Sequence, residues 1–88
     1  MRPSSTNDAE TLALSALAAA LTDERRAQRF LALSGIDTED LRHRAAERAV
    51  LAALLRFLEA HEPDLIQVAE TIGAKPEELV AAREELEA

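Results

Sequence analysis

Residues 47–60 read ERAVLAALLRFLEA, and this stretch decides the fold. Its apolar residues cover nearly every side of an α-helix and are interrupted chiefly by Arg56. A helix that is apolar on all sides is typical of a buried position. The stretch therefore predicts a central helix that the other helices of the protein surround.

Composition indicates that the rest of the chain is helical as well. The 88 residues include 19 alanines and 14 leucines, which lose little side-chain freedom in a helix, and no stretch shows the alternating pattern of a strand. We therefore predict an all-α fold, a compact single-domain bundle of five or six short helices. Residues 7–88 form the predicted helical domain, and residues 1–6 form a predicted disordered tail.

Capping residues predict where these helices begin and end. Asn7 and Asp37 each precede an acidic residue by three positions, as in a capping box. Gly35 and Gly73 are predicted to end helices because glycine adopts positive φ easily, and the third helix is predicted to end near Ala46. The six predicted helix starts are Asn7, Thr22, Asp37, Glu47, Pro63 and Pro76.

The reactive side chains of the sequence argue against an enzyme. There is no cysteine, there are only two glycines, and the two histidines lie 18 residues apart. Cysteine nucleophiles, glycine-rich phosphate loops and metal-ligand spacings are therefore excluded. His43 lies between two arginines, which oppose a metal cation, and His61 is expected to cap the end of the central helix. We predict no catalytic residue, no cofactor and no metal, so that a reaction would need a partner's residues or a bound cofactor.

The sequence also predicts no membrane segment. The longest uncharged stretch, residues 11–22, has twelve residues, whereas a spanning helix needs about 17 to 25 apolar residues. The residues before it include Arg2 but also Asp8 and Glu10, so the positive flank of a secretion signal is missing. We therefore expect a cytoplasmic protein.

The formal net charge of −7 is unevenly distributed along the chain. Residues 1–60 hold eight basic and nine acidic residues, a balance of −1, whereas residues 61–88 hold two basic and eight acidic residues, a balance of −6. Opposite charge biases on one small surface suit recognition of a protein partner. The candidate partner-binding residues are Arg25, Arg29, Arg42, Arg44, Arg48, Glu77, Glu78, Glu84 and Glu85.

A simpler interpretation of the arginines is a solvated surface with local ion pairs. Arg44 is spaced to pair with Asp40 or with Glu47 on a helix, and exposed pairs of this kind are common and weak. Arg44 and Arg48 share a face only if the third and fourth helices are continuous. Both interpretations stay open at this point.

Residues 68–80 provide the alternative function, because they match the outline of a helix-turn-helix motif. Ala69 lets two helices approach, Gly73 makes the turn and Leu79 packs the second helix. That second helix begins with the sequence Pro-Glu-Glu, whose carboxylates would face the phosphates of a nucleic acid. The charge disfavours nucleic acid, and we expect a protein-protein interaction module whose partner and oligomeric state are open.

Each half of the sequence also follows a similar order of elements. A shift of 38 residues places Gly35 on Gly73 and Leu41 on Leu79, so that each half consists of two helices, a glycine turn and a further helix. Few other positions match, and an internal duplication stays open.

Two stretches resemble a known family. Residues 30–37, FLALSGID, and residues 40–47, DLRHRAAE, are similar to small bacterial proteins of the domain of unknown function numbered thirty-five seventy-two, and the resemblance extends over roughly residues 9–86. This family has no established activity, cofactor or catalytic residue, so the resemblance implies none. Arg48 stands where the family tends to have proline, which leaves open whether the third and fourth helices are continuous. Residues 74–76 read AKP where the family tends to read LDP, which weakens the last helix cap.

Overall fold

Six helices form the part of the chain that the structure, a computed structural model, describes, which is residues 6–88. They are α1 (Thr6–Ala20), α2 (Glu24–Ser34), α3 (Thr38–Arg44), α4 (Arg48–Glu59), α5 (Glu62–Ile72) and α6 (Pro76–Glu87). No strand occurs between residues 6 and 88, so the all-α prediction is confirmed. Residues 1–5 of the predicted tail lie outside the described residues, and its last residue, Thr6, is the first residue of α1.

Two of the predicted helix starts are wrong. Asn7 lies inside α1, because the helix already includes Thr6. The N-cap of α2 is Asp23, whose carboxylate accepts a hydrogen bond of 2.9 Å from the backbone N–H of Arg26. Thr22 does not fill this role because its hydroxyl donates to the carbonyl of Ala19, at the end of α1, at 2.7 Å.

The other capping signals predict the helix termini well. The Asp37 carboxylate accepts from the backbone N–H of Asp40 at 2.7 Å, as expected of an N-cap. Gly35 and Gly73 end α2 and α5 with φ of 75° and 73°, in the left-handed region that glycine adopts without a steric penalty. Helix α6 begins at the predicted proline, whereas α5 begins one residue before its own.

Helices α3 and α4 are separate. The backbone turns after Arg44, and Glu47 is extended at φ −70° and ψ 139°. Leu41 and Leu54 are 13 residues apart, so a continuous helix would place them about 140° apart around its axis. Since both side chains are buried in the same core, the break allows α3 to turn Leu41 inward.

Helix α4 is the central helix, as the sequence predicts. It contacts α1, α2, α5 and α6, and an extensive second interface joins α1 to α6. Its fully buried leucines are Leu51, Leu54, Leu55 and Leu58. The radius of gyration of 12.0 Å equals the value of about 12 Å expected for a compact chain of this length. None of the helices in residues 6–88 is long and apolar enough to cross a membrane.

The central position of α4 predicts a large effect of truncating its core. We expect Leu54→Ala to lower the free energy of unfolding by about 2 to 5 kcal/mol, because the deletion leaves a cavity beneath the surrounding helices. Urea unfolding followed by circular dichroism measures this value. Leu33→Ala, at an exposed position on α2, is the matched control and should change stability by less than about 0.5 kcal/mol. A loss below about 1 kcal/mol for Leu54→Ala would contradict the central placement of α4.

Candidate functional site

A buried ion pair joins α2 to α5. Arg26 and Asp64 are each only 6% exposed, and the guanidinium Nε donates to the carboxylate Oδ1 at 3.1 Å. Arg26 also donates from Nη2 to the side-chain oxygen of Gln67. The two charges therefore satisfy each other inside the protein, where an isolated charge would be strongly unfavourable.

The other oxygen of Asp64 organises two groups at the surface. Its Oδ2 accepts from Arg29 Nη2 at 2.7 Å, and His61 Nδ1 lies 2.9 Å away. Arg29 and His61 thus lie side by side although they come from α2 and from the residue that precedes α5. His61 does not cap the end of α4 as expected, because its ring reaches forward to Asp64 instead.

The surroundings of Asp64 keep it charged. Burial by itself raises the pKa of a carboxyl group, but hydrogen bonds from Arg29, His61 and Arg26 outweigh it and lower the pKa of Asp64 to about 2. A permanently charged carboxylate can hold all three donors at neutral pH. The cluster is consequently a rigid base for the surface above it.

An apolar groove of about 460 Å³ lies next to this cluster, between α2 and α4. Its apolar wall is formed by Phe30, Leu33, Ala53 and Phe57. Phe30 is buried, Phe57 is half-buried, and Leu33 is 77% exposed. The groove therefore presents large apolar side chains to water.

The aromatic rings and Arg29 stiffen the groove. The rings of Phe30 and Phe57 pack edge to face, with centroids 5.5 Å apart and an interplanar angle of 62°. The guanidinium carbon of Arg29 lies 5.4 Å from the centroid of the Phe57 ring, in cation–π range. Since Arg29 also binds Asp64, it connects the groove wall to the buried ion pair.

Cationic side chains form the rim of the groove. Arg29, Arg56 and His61 all line it, and they come from α2, α4 and the start of α5. Arg56 donates from Nη2 to Glu87 at 2.7 Å, and this bond lowers the pKa of Glu87. Glu87 also accepts from Arg83 at 3.2 Å. We call this surface, defined by Phe30, Leu33, Ala53, Phe57, Arg29, Arg56 and His61, the basic-rimmed groove.

A second groove of about 440 Å³ continues along the other side of α4. Its lining includes Arg48, Ala49, Leu86 and Glu87, and it shares Ala53 and Arg56 with the basic-rimmed groove. The exposed face of α4 therefore runs between two adjoining grooves, with Arg48 at its first turn.

The structure separates the arginines that the sequence grouped. Arg25 and Arg29 lie together on the exposed face of α2. Arg42 and Arg44 are exposed on α3, and Arg48 is the first residue of α4. Arg44 forms the predicted local pair with Glu47, at 2.9 Å, and does not share a helix with Arg48. Only Arg29 of these five lies at the basic-rimmed groove.

The predicted acidic residues of α6 divide between two sides of that helix. Glu78 and Glu85 line a depression of about 290 Å³ together with Leu12 of α1. Glu78 also accepts from the backbone N–H of Lys75 at 2.7 Å, so it caps α6 despite the lysine at the N-cap position. Glu77 and Glu84 are exposed on the neighbouring side.

The two remaining motifs have ordinary structural roles. His43 pairs with Glu39 at 3.0 Å on the exposed surface of α3. Ala69 and Leu79 are fully buried on either side of the Gly73 turn, as a helix-turn-helix outline requires. Among residues 6–88, no group of three or more acidic or histidine side chains could hold a metal ion.

Sequence reasoning missed the buried cluster, although it contains a signal. Arg26 precedes the buried Phe30 by four positions, so both lie on the inward face of α2. Asp64 similarly precedes the buried Val68 by four positions on α5. A charge on the apolar face of each of two helices indicates a buried pair, but which charges meet depends on how the helices pack.

We expect Asp64→Asn to destabilise the protein by about 3 to 5 kcal/mol at pH 7, because Arg26 would remain buried without its counter-ion. Denaturant unfolding measures the loss. The stabilisation by Asp64 depends on its ionised form, which is complete above its ordinary pKa of 3.8 and is lost as the pH falls through about 2. The difference between the wild type and Asp64→Asn should therefore narrow by about 2 kcal/mol between pH 5 and pH 2.

The matched control for this variant is Glu39→Gln, which removes an equal charge from the exposed pair with His43. It should leave the unfolding curve nearly unchanged at each pH. A difference between the wild type and Asp64→Asn that stays constant from pH 5 to pH 2 would contradict the lowered pKa of Asp64.

Comparison with known proteins places the chain by sequence alone. No curated protein and no solved structure matches it. A family model described as a protein of unknown function (DUF3572) matches residues 6–88, which include the buried ion pair and both grooves along α4. Because this match covers nearly the whole sequence, the chain belongs to the DUF3572 family of proteins of unknown function.

Proposed function

We propose that the chain is a protein-protein interaction module that binds an acidic, amphipathic segment of a partner protein in the basic-rimmed groove. The proposal describes a binding protein and not an enzyme, and it includes the cytoplasmic location expected from the sequence. The observation that carries it is the exposure of Leu33 and Phe57 inside a ring of three cationic side chains.

Exposed apolar surface supports a partner. A single exposed leucine is ordinary, but here Leu33 adjoins the half-buried Phe57 and the groove between them. Aromatic and aliphatic walls of this kind bind the apolar side chains of a docking helix. Covering Leu33 alone would contribute about 1.5 to 3 kcal/mol.

The rim determines the sign of the partner's charge. Arg29 and Arg56 carry permanent positive charge, and His61 adds a polar ring between them. Carboxylates of a partner would meet bidentate guanidinium groups there, which gives both attraction and orientation. An acidic segment fits this rim, and a basic segment would be repelled by it.

Nucleic-acid binding by residues 68–80 is the alternative function. The buried Ala69 and Leu79 and the Gly73 turn favour it, because they give these residues the local form of a helix-turn-helix motif. The first turn of α6 opposes it, since Glu77 and Glu78 are exposed where a recognition helix would approach phosphates. The protein partner therefore remains the better supported function.

A designed peptide tests the proposal. The probe is a fluorescein-labelled, 14-residue helical peptide with leucines on one face and glutamates on the others, titrated by fluorescence anisotropy at low and moderate salt. We expect wild-type protein to bind it, and Leu33→Ser to weaken binding about tenfold or more because the leucine side chain is buried on docking. Binding should also weaken as salt rises.

Leu14→Ser is the matched control, because Leu14 is an exposed leucine of α1 that does not line the groove. It should change the affinity by less than about twofold, since it lies outside the contact. Equal losses from both variants, or no binding of the probe at low salt, would contradict the proposal. Salt-sensitive binding of mixed-sequence duplex DNA in the same assay would favour the alternative instead.

A further inference from the structure

We infer that Arg29 and Arg56 are exchangeable arginines, which leave their carboxylates within the chain to bind the carboxylates of a three-turn acidic helix lying along α4. This inference deepens the proposed function and rests on it. It specifies the form of the partner and identifies Glu87 as the internal competitor for Arg56.

Glu87 can release Arg56 without losing its own neutralisation. Its carboxylate lies between two arginines and accepts from both Arg56 and Arg83. Arg83 is held in place by Glu59, to which it donates at 2.8 and 3.0 Å. When Arg56 turns outward, Glu87 therefore keeps a charged partner.

Asp64 can release Arg29 for the same reason. The buried Arg26 donates to Oδ1 and His61 lies within hydrogen-bond distance of Oδ2, so two partners remain when Arg29 leaves. The loss of one hydrogen bond at a carboxylate that keeps two others is far less unfavourable than stripping it of all three.

Exposure divides the four arginines of these clusters into two classes. The side chains of Arg56 and Arg29 are 63% and 45% exposed, whereas those of Arg83 and Arg26 are 19% and 7% exposed. Each carboxylate thus holds one inner arginine and one outer arginine. Both outer arginines line the basic-rimmed groove.

The shape of the surface fits a helix. The two grooves adjoin at Ala53 and Arg56 and follow the exposed face of α4, a helix of 12 residues that spans about 18 Å. Ala49 and Ala53 are small and would allow a second helix to approach closely. The cations Arg48, Arg56 and Arg29 lie along this surface, so charge complementarity selects an acidic helix of about three turns.

Glu87→Gln tests the exchange, with the same fluorescent peptide as the probe. The variant removes the competing carboxylate, and we expect the peptide to bind about two to five times more tightly, the range for release of an exposed ion pair. Glu84→Gln, which changes the net charge equally on the same helix, should change the affinity by less than this. In an Arg56→Gln background, which should itself weaken binding, Glu87→Gln should give no gain.

The outcomes separate the inference from the proposed function. If the wild type binds the peptide but Glu87→Gln gives no gain, the exchange at Arg56 is wrong and the docking surface stands. The same conclusion follows if Glu84→Gln gives an equal gain, or if the gain persists without Arg56, because a general field effect would then explain it. If neither the wild type nor Glu87→Gln binds, the proposed function fails and the inference fails with it.

Discussion

The buried pair of Arg26 and Asp64 is the interaction on which the candidate surface depends. Helix α2 has a less extensive interface with α4 than the helices of the main bundle have with one another. The ion pair fixes α2 against α5, and any arrangement that separated the two would leave a charge buried without its partner. The position of α2 in turn sets the width of the groove beside α4. Specificity of packing, more than stability, is what this pair contributes.

Most of the fold could be predicted from the sequence because helix limits are local properties. Asp37, Gly35 and Gly73 act on backbone groups within a few residues, so their effect is visible in the sequence. The apolar pattern of residues 47–60 likewise predicted the central helix. The errors are also local: Thr22 and Asp23 are both good caps, and only the bond from Thr22 to the end of α1 decides between them.

The groove could not be predicted in the same way, because its members come from separate elements. Arg29, Arg56 and His61 lie far apart in the sequence, and nothing local to Arg56 indicates that Glu87 is its partner 31 residues away. Helical spacing placed Arg25 beside Arg29 correctly, yet only the packing of α2 on α4 distinguishes the arginine that faces the groove. The shared 38-residue spacing illustrates the same limit. Helices α2 and α5 match in length under that shift, but α1 packs extensively on α6 whereas α4 has no comparable interface with α3 within residues 6–88.

Folding also changes the meaning of the uneven charge. Along the sequence, residues 61–88 form an acidic end with a balance of −6. In the folded protein, two of those acids reach back to the arginines of the first 60 residues, since Asp64 binds Arg26 and Arg29 and Glu87 binds Arg56. The acidic end therefore does not form a separate surface, and part of it neutralises the rim of the groove. A rim whose cations are already paired attracts acidic chains only weakly at a distance. Selectivity must then come from close contact, where an apolar face that fits Leu33 and Phe57 brings a carboxylate near enough to compete with the internal one.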